Sequence, residues 1–333
     1  MASLKDIAER TGVSIRTVNR ALKGDTKIKE ATKKIVLEAA KELNYIPNLA
    51  ARALKSGGGF EVIAVINNLH EMHLRKFAAM EKVLRENDLL LSIFIIESEN
   101  CCEELTKRLS LSRPAGAVLM ADYDNSEQYK LVEGLHKIFE DNKIPCVGID
   151  LDFPGMSQVV LDRSQAVYDS IAHLYESGYR AIAYAGIEDA FGNEERIDGY
   201  KKAAKHFGFE ELIYLAPSAV GDERVQSGVL AMEYFESLEK KPDAIQFFTD
   251  MMAVSALQVC QNKGITVPQD LALVGFDDQP ITQFTQPPLT TISQPVEKVG
   301  EITGELLAQL VKHNDQRVYS KSVNANLVER QST

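Results

Sequence analysis

Two arginines near the amino end, Arg16 and Arg20, carry side chains suited to recognising the edge of a nucleic-acid base. One guanidinium can donate two hydrogen bonds to O6 and N7 of guanine, which discriminates against other bases by roughly 1–3 kcal/mol. Ile15 precedes them and could contact a thymine methyl group. We therefore expect Ile15, Arg16 and Arg20 to contact bases.

Short polar side chains accompany these three residues. Hydroxyl and amide groups of this size suit phosphate oxygens, which position a protein on a duplex without reading its sequence. The candidates for phosphate contact are Ser14, Thr17, Asn19 and Asn48.

The elements that must position these residues are short helices. Residues 3–10 are predicted to form a helix that Ser3 caps, with Asp6 at the capping-box position. Gly12 permits a turn, and a second helix, Ile15 to Leu22, presents both arginines outward. This arrangement is typical of a helix-turn-helix DNA-binding module.

A third helix, about Glu30 to Leu43, is expected to close the small core with one apolar face. Its candidate core residues are Ile35, Val36, Ala39, Ala40 and Leu43. Lys29 stands where a capping side chain would be expected, so this helix should begin without a cap.

These segments resemble the amino-terminal headpiece of the lactose-repressor (LacI) family. The resemblance rests on Asp6-Ile7-Ala8, Gly12-Val13-Ser14, Thr17-Val18, Asn19-Arg20-Ala21-Leu22 and Leu43-Asn44-Tyr45-Ile46-Pro47-Asn48. It implies that residues 47–59 form a hinge that pairs with its twin in the minor groove, with Ala51 and Leu54 at the DNA. A leucine inserted between base pairs costs free energy because it unstacks them, but the bent DNA then makes more contacts with the protein. The alternative is a flexible tether ending in three glycines.

Charge is distributed unevenly along the 333 residues. The whole chain carries a formal charge of −11, yet residues 1–59 hold 12 of the 37 Lys and Arg and only 6 of the 48 Asp and Glu. A basic front segment on an acidic remainder fits one module that faces DNA. The alternative is an unevenly charged, solvated surface.

From Phe60 onward, short apolar strands alternate with helices, and the pattern restarts after Pro154. Such runs indicate buried parallel strands. The predicted fold is an all-α helix-turn-helix headpiece (residues 1–46), the hinge segment (47–59) and an α/β two-lobed body (60–333) with doubly wound parallel sheets. The body resembles periplasmic sugar-binding proteins. The amino lobe is expected at about 60–155 and 291–315, and the carboxyl lobe at about 156–290 and 316–333.

Three segments of the body resemble effector-binding motifs of the LacI family. They are Arg196-Ile197-Asp198-Gly199-Tyr200, Phe248-Thr249-Asp250 and the run from Asp270 to Asp278 that ends in Gly-Phe-Asp-Asp. The resemblance implies that Arg196, Thr249, Asp250 and Asp277 bind the effector. An arginine and two acids suit a polyol, whose hydroxyl groups both donate and accept hydrogen bonds. Asp250 and Asp277 could instead cap helices.

The amino lobe offers Asn67, at the end of its first strand, as a further effector contact. The chain then departs from the family pattern with Leu69-His70-Glu71-Met72-His73. His70 and His73 could suggest a metal pair, but a solvated helix start explains them better because no acid or cysteine cluster accompanies them.

These patterns predict a cytoplasmic regulator of transcription, most simply a repressor. The resemblance to the LacI family implies that two subunits of a homodimer bind a near-palindromic double-stranded DNA operator, and that a small molecule, a sugar or sugar derivative, modulates this binding. No membrane span, cofactor or metal is expected, and no nucleophile elbow, phosphate loop or zinc-protease motif favours an enzyme. The alternatives are a regulator controlled by a partner protein and a pure sugar-binding receptor.

Overall fold

The structure, a computed structural model, describes residues 2–22, 24–45, 59–67, 69–96, 100–120, 126–151, 153, 155–217, 223–313, 315 and 317–333. Contacts divide the chain into two units, residues 1–58 and residues 59–333.

The first unit contains three described helices: α1 Leu4–Thr11, α2 Ile15–Leu22 and α3 Glu30–Glu42. The predicted capping box is present at α1. The Ser3 backbone N–H donates to the Asp6 carboxylate at 2.7 Å, and the Asp6 N–H donates to the Ser3 hydroxyl at 3.3 Å. Helix α3 begins after Lys29 with no side-chain cap, as expected.

One face of each helix meets in a small apolar core. Its buried members are Ile7, Val18, Ala21, Val36, Ala39 and Ala40. The prediction that Ile35 belongs to this core is wrong, because its side chain is 53 % exposed. Successive residues of a helix are rotated by about 100°, so once Val36 faces inward, Ile35 is turned toward solvent.

Two six-stranded sheets form the second unit. The first sheet has the strand order β11-β5-β4-β3-β1-β2, with every pairing parallel. Its strands are β1 Glu61–Ile66, β2 Leu90–Ile95, β3 Gly116–Met120, β4 Cys146–Ile149, β5 Ser157–Leu161 and β11 Ser320–Val323.

The second sheet has the order β12-β10-β9-β8-β6-β7, and only β12 runs antiparallel to its neighbour. Its strands are β6 Ile182–Ile187, β7 Ile213–Ala216, β8 Ala244–Phe247, β9 Ala272–Asp277, β10 Thr290–Ser293 and β12 Asn326–Val328. The burial of β6, β8 and β9 is complete along their lengths, which is why they read as unbroken apolar runs.

Helices cover both faces of the sheets. Those of the amino lobe are α4 Glu71–Glu86, α5 Cys101–Leu111, α6 Ser126–Asp141 and α11 Val296–His313; those of the carboxyl lobe are α7 Arg163–Glu176, α8 Asn193–Phe207, α9 Glu223–Ser237 and α10 Asp250–Lys263. Helices α4 and α11 pack on one face of the first sheet, and α5 and α6 pack on the other. The predicted doubly wound α/β body is thus confirmed.

The lobe boundaries predicted from the sequence are wrong at three places. Strand β5 joins the first sheet beside β4, and β11 joins it beside β5, although both were assigned to the carboxyl lobe. Strand β10 pairs with β9 in the second sheet, so the chain returns to the amino lobe only after Ser293. A restart of the pattern indicates a new strand, but which strand a four- or five-residue strand pairs with depends on residues far away in the sequence.

Of the described helices, none combines the length and apolar character that a bilayer crossing requires. Cys101, Cys102, Cys146 and Cys260 are all free thiols.

Candidate functional site

The exposed face of α2 carries the three residues predicted to contact bases. Ile15 is 48 % exposed although it is apolar, and Arg16 is exposed. Arg20 is partly buried, and its Nε donates to a carboxylate oxygen of Asp25 at 2.8 Å. The helix therefore presents one exposed guanidinium and one that is held by an ion pair, beside an apolar side chain.

The predicted phosphate contacts lie around the start of the same helix. The Thr17 N–H donates to the Ser14 hydroxyl at 3.1 Å, so Ser14 caps α2, and the two hydroxyl groups are 2.9 Å apart. Asn19 is exposed. Asn48, Ala51 and Leu54 lie outside the described residues.

In the body, both sheets reverse their winding direction at corresponding places. The chain passes from β1 to β2 on one side and then to β3 on the other, and likewise from β6 to β7 and then to β8. Ligands of such sheets bind beyond the carboxyl ends of the strands at this switch point. Asn67 directly follows β1 and is partly buried, and Thr249 comes two residues after β8.

Arg196 lies within the carboxyl lobe and is only 5 % exposed. Its guanidinium carbon is 4.3 Å from the centroid of the Phe248 ring and 4.1 Å from that of Phe276. Nη1 donates to the carbonyl oxygens of Phe191 and Gly192 at 3.4 and 3.1 Å. Nε is buried and has no hydrogen-bond partner among the described residues. Burial lowers the pKa of Arg196 to about 10, and the nearby charge of Arg163 acts in the same direction.

The glycine in the Arg-x-x-Gly motif has a steric role. A Cβ on Gly199 would lie 2.1 Å from the carbonyl oxygen of Ser164, at the start of α7. Only glycine therefore allows α8 to approach α7 this closely. The approach sets the position of Arg196, one turn earlier on α8.

Asp250 is fully buried at the start of α10. Its carboxylate accepts hydrogen bonds from the Thr291 hydroxyl at 2.5 Å and from the Gln279 N–H at 2.7 Å. Burial, together with the charge of Asp277, raises the pKa of Asp250 to about 8. A Cβ on Gly275 would lie 2.2 Å from the carboxylate, so glycine is required there.

The helix cap at this point is Thr249 rather than Asp250. The Thr249 hydroxyl accepts a hydrogen bond from the Met252 N–H at 3.4 Å, and the residue is 3 % exposed. The capping alternative for Asp250 is therefore wrong. The hydroxyl of Thr249 retains its proton for a further donor contact.

Asp277 ends β9 with φ +119°, and Asp278 follows with φ +55°. Two successive non-glycine residues in this region store strain of the kind that folds tolerate at functional sites. Gln294 Nε2 donates to the Asp277 carboxylate at 2.7 Å, and the Asp278 carboxylate accepts from Arg330 at 2.6 Å. Asp277 also contributes to the electrostatics of both Arg196 and Asp250, so the structure brings these three predicted residues together.

A buried ion-pair network, absent from the sequence predictions, joins the two lobes. The Asp150 carboxylate, beyond β4, lies 3.6 Å from Lys76 Nζ on α4 and 3.1 Å from Arg163 Nη2, at the first residue of α7. Arg163 Nη1 reaches Glu195 on α8 at 3.1 Å. Burial alone would raise the pKa of Asp150, but the two cations together lower it to about 2. A polar residue directly after a buried strand, the feature that points to Asn67, also points to Asp150.

The rings of His70 and His73 lie with their centroids 3.6 Å apart and tilted by 31° at the start of α4. His73 is buried, so the prediction of a solvated helix start is wrong for this residue. Within the described ranges no group of three or more His, Cys, Asp or Glu side chains is arranged to hold a metal ion.

These features define a class of protein. A helix-turn-helix unit with arginines on its second helix is joined in one chain to a two-lobed α/β body that holds polar groups beyond its strand ends. The first is a DNA-binding module and the second is a ligand-binding fold.

Comparison with known proteins identifies the family. The model of bacterial regulatory proteins of the lacI family matches residues 3–48, and that of the periplasmic binding protein-like domain matches residues 171–333. The chain belongs to the lactose-repressor (LacI) family of transcriptional regulators.

Individual proteins agree with this over nearly the whole length. The transcriptional repressor CytR of Escherichia coli (strain K12) is 28 % identical over 342 residues, covering 100 % of this chain and 96 % of CytR. The structure of the transcriptional regulator CelR in complex with cellobiose is 25 % identical, with a TM-score of 0.70 and full coverage of both chains. The lac repressor dimer bound to operator and the anti-inducer ONPF is 22 % identical, with a TM-score of 0.74, covering 99 % of this chain and 98 % of that one.

Proposed function

We propose that the protein is a repressor whose affinity for an operator is set by a small ligand, a sugar or sugar derivative, bound between the two lobes. The observation that carries this proposal is Arg196, a buried guanidinium held between two phenylalanine rings with an unpartnered Nε among the described residues. A buried donor without an acceptor is costly, and a ligand oxygen would supply the acceptor.

The chemistry around Arg196 supports a polyol. Asp277 can accept from ligand hydroxyl groups, Thr249 can donate, and the faces of Phe248 and Phe276 shield the guanidinium from water. Mixed donors and acceptors beside aromatic surface match the alternating polar and apolar faces of a sugar. The complex of CelR with cellobiose shows that a relative of this fold takes such a ligand. Asn67 is proposed as the contact from the amino lobe, and Asp250 as a buried support behind Asp277.

On DNA, we assign base contacts to Ile15, Arg16 and Arg20, and phosphate contacts to Ser14, Thr17, Asn19 and Asn48. Ala51 and Leu54 are proposed to enter the minor groove. A homodimer would place two such units on a near-palindromic operator. Edge strand β2 supports dimerisation, because it leaves Leu90, Ile93 and Ile95 between 39 and 45 % exposed.

The proposed mechanism is a coupling between ligand and operator. The ligand binds one arrangement of the lobes more tightly than another, and the two arrangements favour different spacings of the paired hinges. Such coupling is typically about 1–3 kcal/mol. No chemical step is required, and we place the protein in the cytosol with the DNA that it regulates.

Selection of operator sequences from a random pool of duplexes, with and without a panel of mono- and disaccharides, tests this proposal. We expect a near-palindromic sequence to be enriched, and one sugar class to change its retention by tenfold or more, which corresponds to about 1.4 kcal/mol. Enrichment of a sequence without an effect of any sugar would refute the proposal that a sugar controls operator binding. Absence of enrichment from a folded, dimeric sample would refute the whole proposal.

A further inference from the structure

Asp25 lies beyond the end of α2, outside the residues assigned to DNA contact. Its carboxylate Oδ2 accepts the hydrogen bond from Arg20 Nε at 2.8 Å. The remaining donors of Arg20, on Nη1 and Nη2, have no partner among the described residues of the headpiece. Arg20 is thus held from one side and open at its far end.

The turn after α2 fixes the Asp25 carboxylate itself. Its second oxygen, Oδ1, accepts from the Lys27 N–H at 2.9 Å. The Asp25 N–H donates to the Arg20 carbonyl oxygen at 3.1 Å, and the Asp25 carbonyl oxygen accepts from the Ile28 N–H at 3.1 Å. The hydrogen bond from Arg20 is the main reason that the pKa of Asp25 is lowered, so the carboxylate is ionised at neutral pH.

Arg16 offers a contrast on the same helix. It is exposed and has no hydrogen bond or ion pair within the described headpiece. A free arginine loses side-chain entropy when it is fixed on a base, whereas a guanidinium that is already held loses less. The two arginines should therefore differ in how strongly they discriminate between bases.

We propose that Asp25 is a positioning residue that aims the Nη1 and Nη2 ends of Arg20 at a guanine, and so sets the specificity of one base pair in each half-site. This inference rests on the proposed DNA-binding function. Arg20 makes the base contact, and Asp25 acts only through it.

The test uses the full-length chain and the operator selected by the wild-type protein. Dissociation constants are measured at fixed salt for that operator, for variants in which each guanine is replaced, and for a duplex of unrelated sequence. Asp25→Asn keeps the acceptor for the Lys27 N–H and removes the charge facing Arg20. We expect it to lower discrimination at one symmetric guanine roughly tenfold, with affinity for unrelated duplex unchanged or increased.

Two further variants keep the result interpretable. Glu42→Gln removes an ion pair of similar length, Arg10–Glu42 at 3.1 Å, from the same headpiece, and should leave discrimination unchanged. In an Arg20→Ala background, Asp25→Asn should have no further effect at that guanine. Asp25→Glu keeps the negative charge, so it should discriminate at that guanine better than Asp25→Asn does.

Three outcomes would overturn the inference. They are unchanged discrimination in Asp25→Asn, an equal loss of affinity for all duplexes, and an effect of Asp25→Asn that persists without Arg20. If the wild-type protein selects no sequence at all, the proposed function itself fails, and that result is distinct from these three.

Discussion

The proposed DNA-binding surface and the proposed ligand site both contain arginine, but in opposite settings. Arg16 and Arg20 stand on one eight-residue helix at the surface of a small unit, whereas Arg196 is buried among aromatic rings and acids from distant parts of the chain. In the proposed function, the surface arginines bind DNA because they are accessible to a large partner. The buried arginine binds a small ligand because its Nε has no hydrogen-bond partner among the described residues. The difference predicts which substitutions cost stability and which cost only recognition.

The largest effect is expected at the network between the lobes. Asp150→Asn leaves Lys76 and Arg163 as buried cations without their shared anion, and breaking such a pair costs about 3–5 kcal/mol. The midpoint of urea unfolding of the body should fall accordingly. Asp141→Asn is the control, because it breaks the exposed Lys137–Asp141 pair at 3.1 Å in the same lobe and should leave the midpoint unchanged. Equal shifts of the midpoint in both variants would contradict the prediction that the buried ion pair matters more than the exposed one.

At Arg196 we expect a loss of ligand binding without a loss of operator affinity. Arg196→Ala removes hydrogen bonds from a buried charged donor, so ligand affinity should drop by about 100-fold or more, while operator affinity without ligand stays as in the wild type. Calorimetry with the sugar identified by selection measures the first quantity. Arg180→Ala is the control, since Arg180 also lies over an aromatic ring, Tyr175, at 4.1 Å, but on an exposed surface. A full ligand response in Arg196→Ala would remove this residue from the site.

A pH-dependent effect on stability is expected at Asp250. Its pKa is raised from 3.8 to about 8 in the folded protein, so the folded state binds this proton more tightly than the unfolded state. The corresponding stability is fully present below about pH 4 and is lost as pH rises through about 8. Asp250→Asn should abolish this part of the decline in the urea midpoint. Asp270→Asn, at an exposed acid of the same lobe, should follow the wild-type profile. Parallel profiles for wild type and Asp250→Asn would contradict the prediction.

The smallest effect, about tenfold, is expected at the hinge segment. Leu54→Ala removes the proposed wedge and should weaken binding to the selected operator while sparing binding to unrelated duplex. Leu37→Ala, at an exposed leucine of α3, should change neither. Equal losses on both duplexes would mean that Leu54 does not read or deform the operator.

The two regions also differ in how far the sequence predicts them. The exposed face of α2 was predictable because this helix and its cap, Ser14, are consecutive in the sequence, where helix periodicity and capping rules apply directly. Even the exposed position of Ile15 follows from that periodicity. The prediction for Ile35 was wrong because Ile35 lies next to the buried face of α3, one residue before Val36.

The cleft was predictable only in part. Arg196 and Asp277 could be singled out by their motifs, but the role of Asp250 as a buried acid depends on Gln279 and Thr291, from a loop and a strand 29 and 41 residues further on. The network of Lys76, Asp150 and Arg163 depends on how the two lobes meet. Local patterns contain no information on such contacts, and for the same reason they misassigned β5 and β11.

The interleaving of the lobes has a consequence for synthesis of the protein. The amino lobe takes its packing helix α11 and its edge strand β11 from residues 296–323, which follow strands β6 to β10 of the carboxyl lobe, and β12 of the carboxyl lobe comes later still. A ribosome that has finished β5 has therefore made a sheet with one open edge and with the apolar face of α4 uncovered. Because β11 completes one sheet and β12 completes the other, a nascent chain has both complete sheets only after Val328 has emerged from the ribosome.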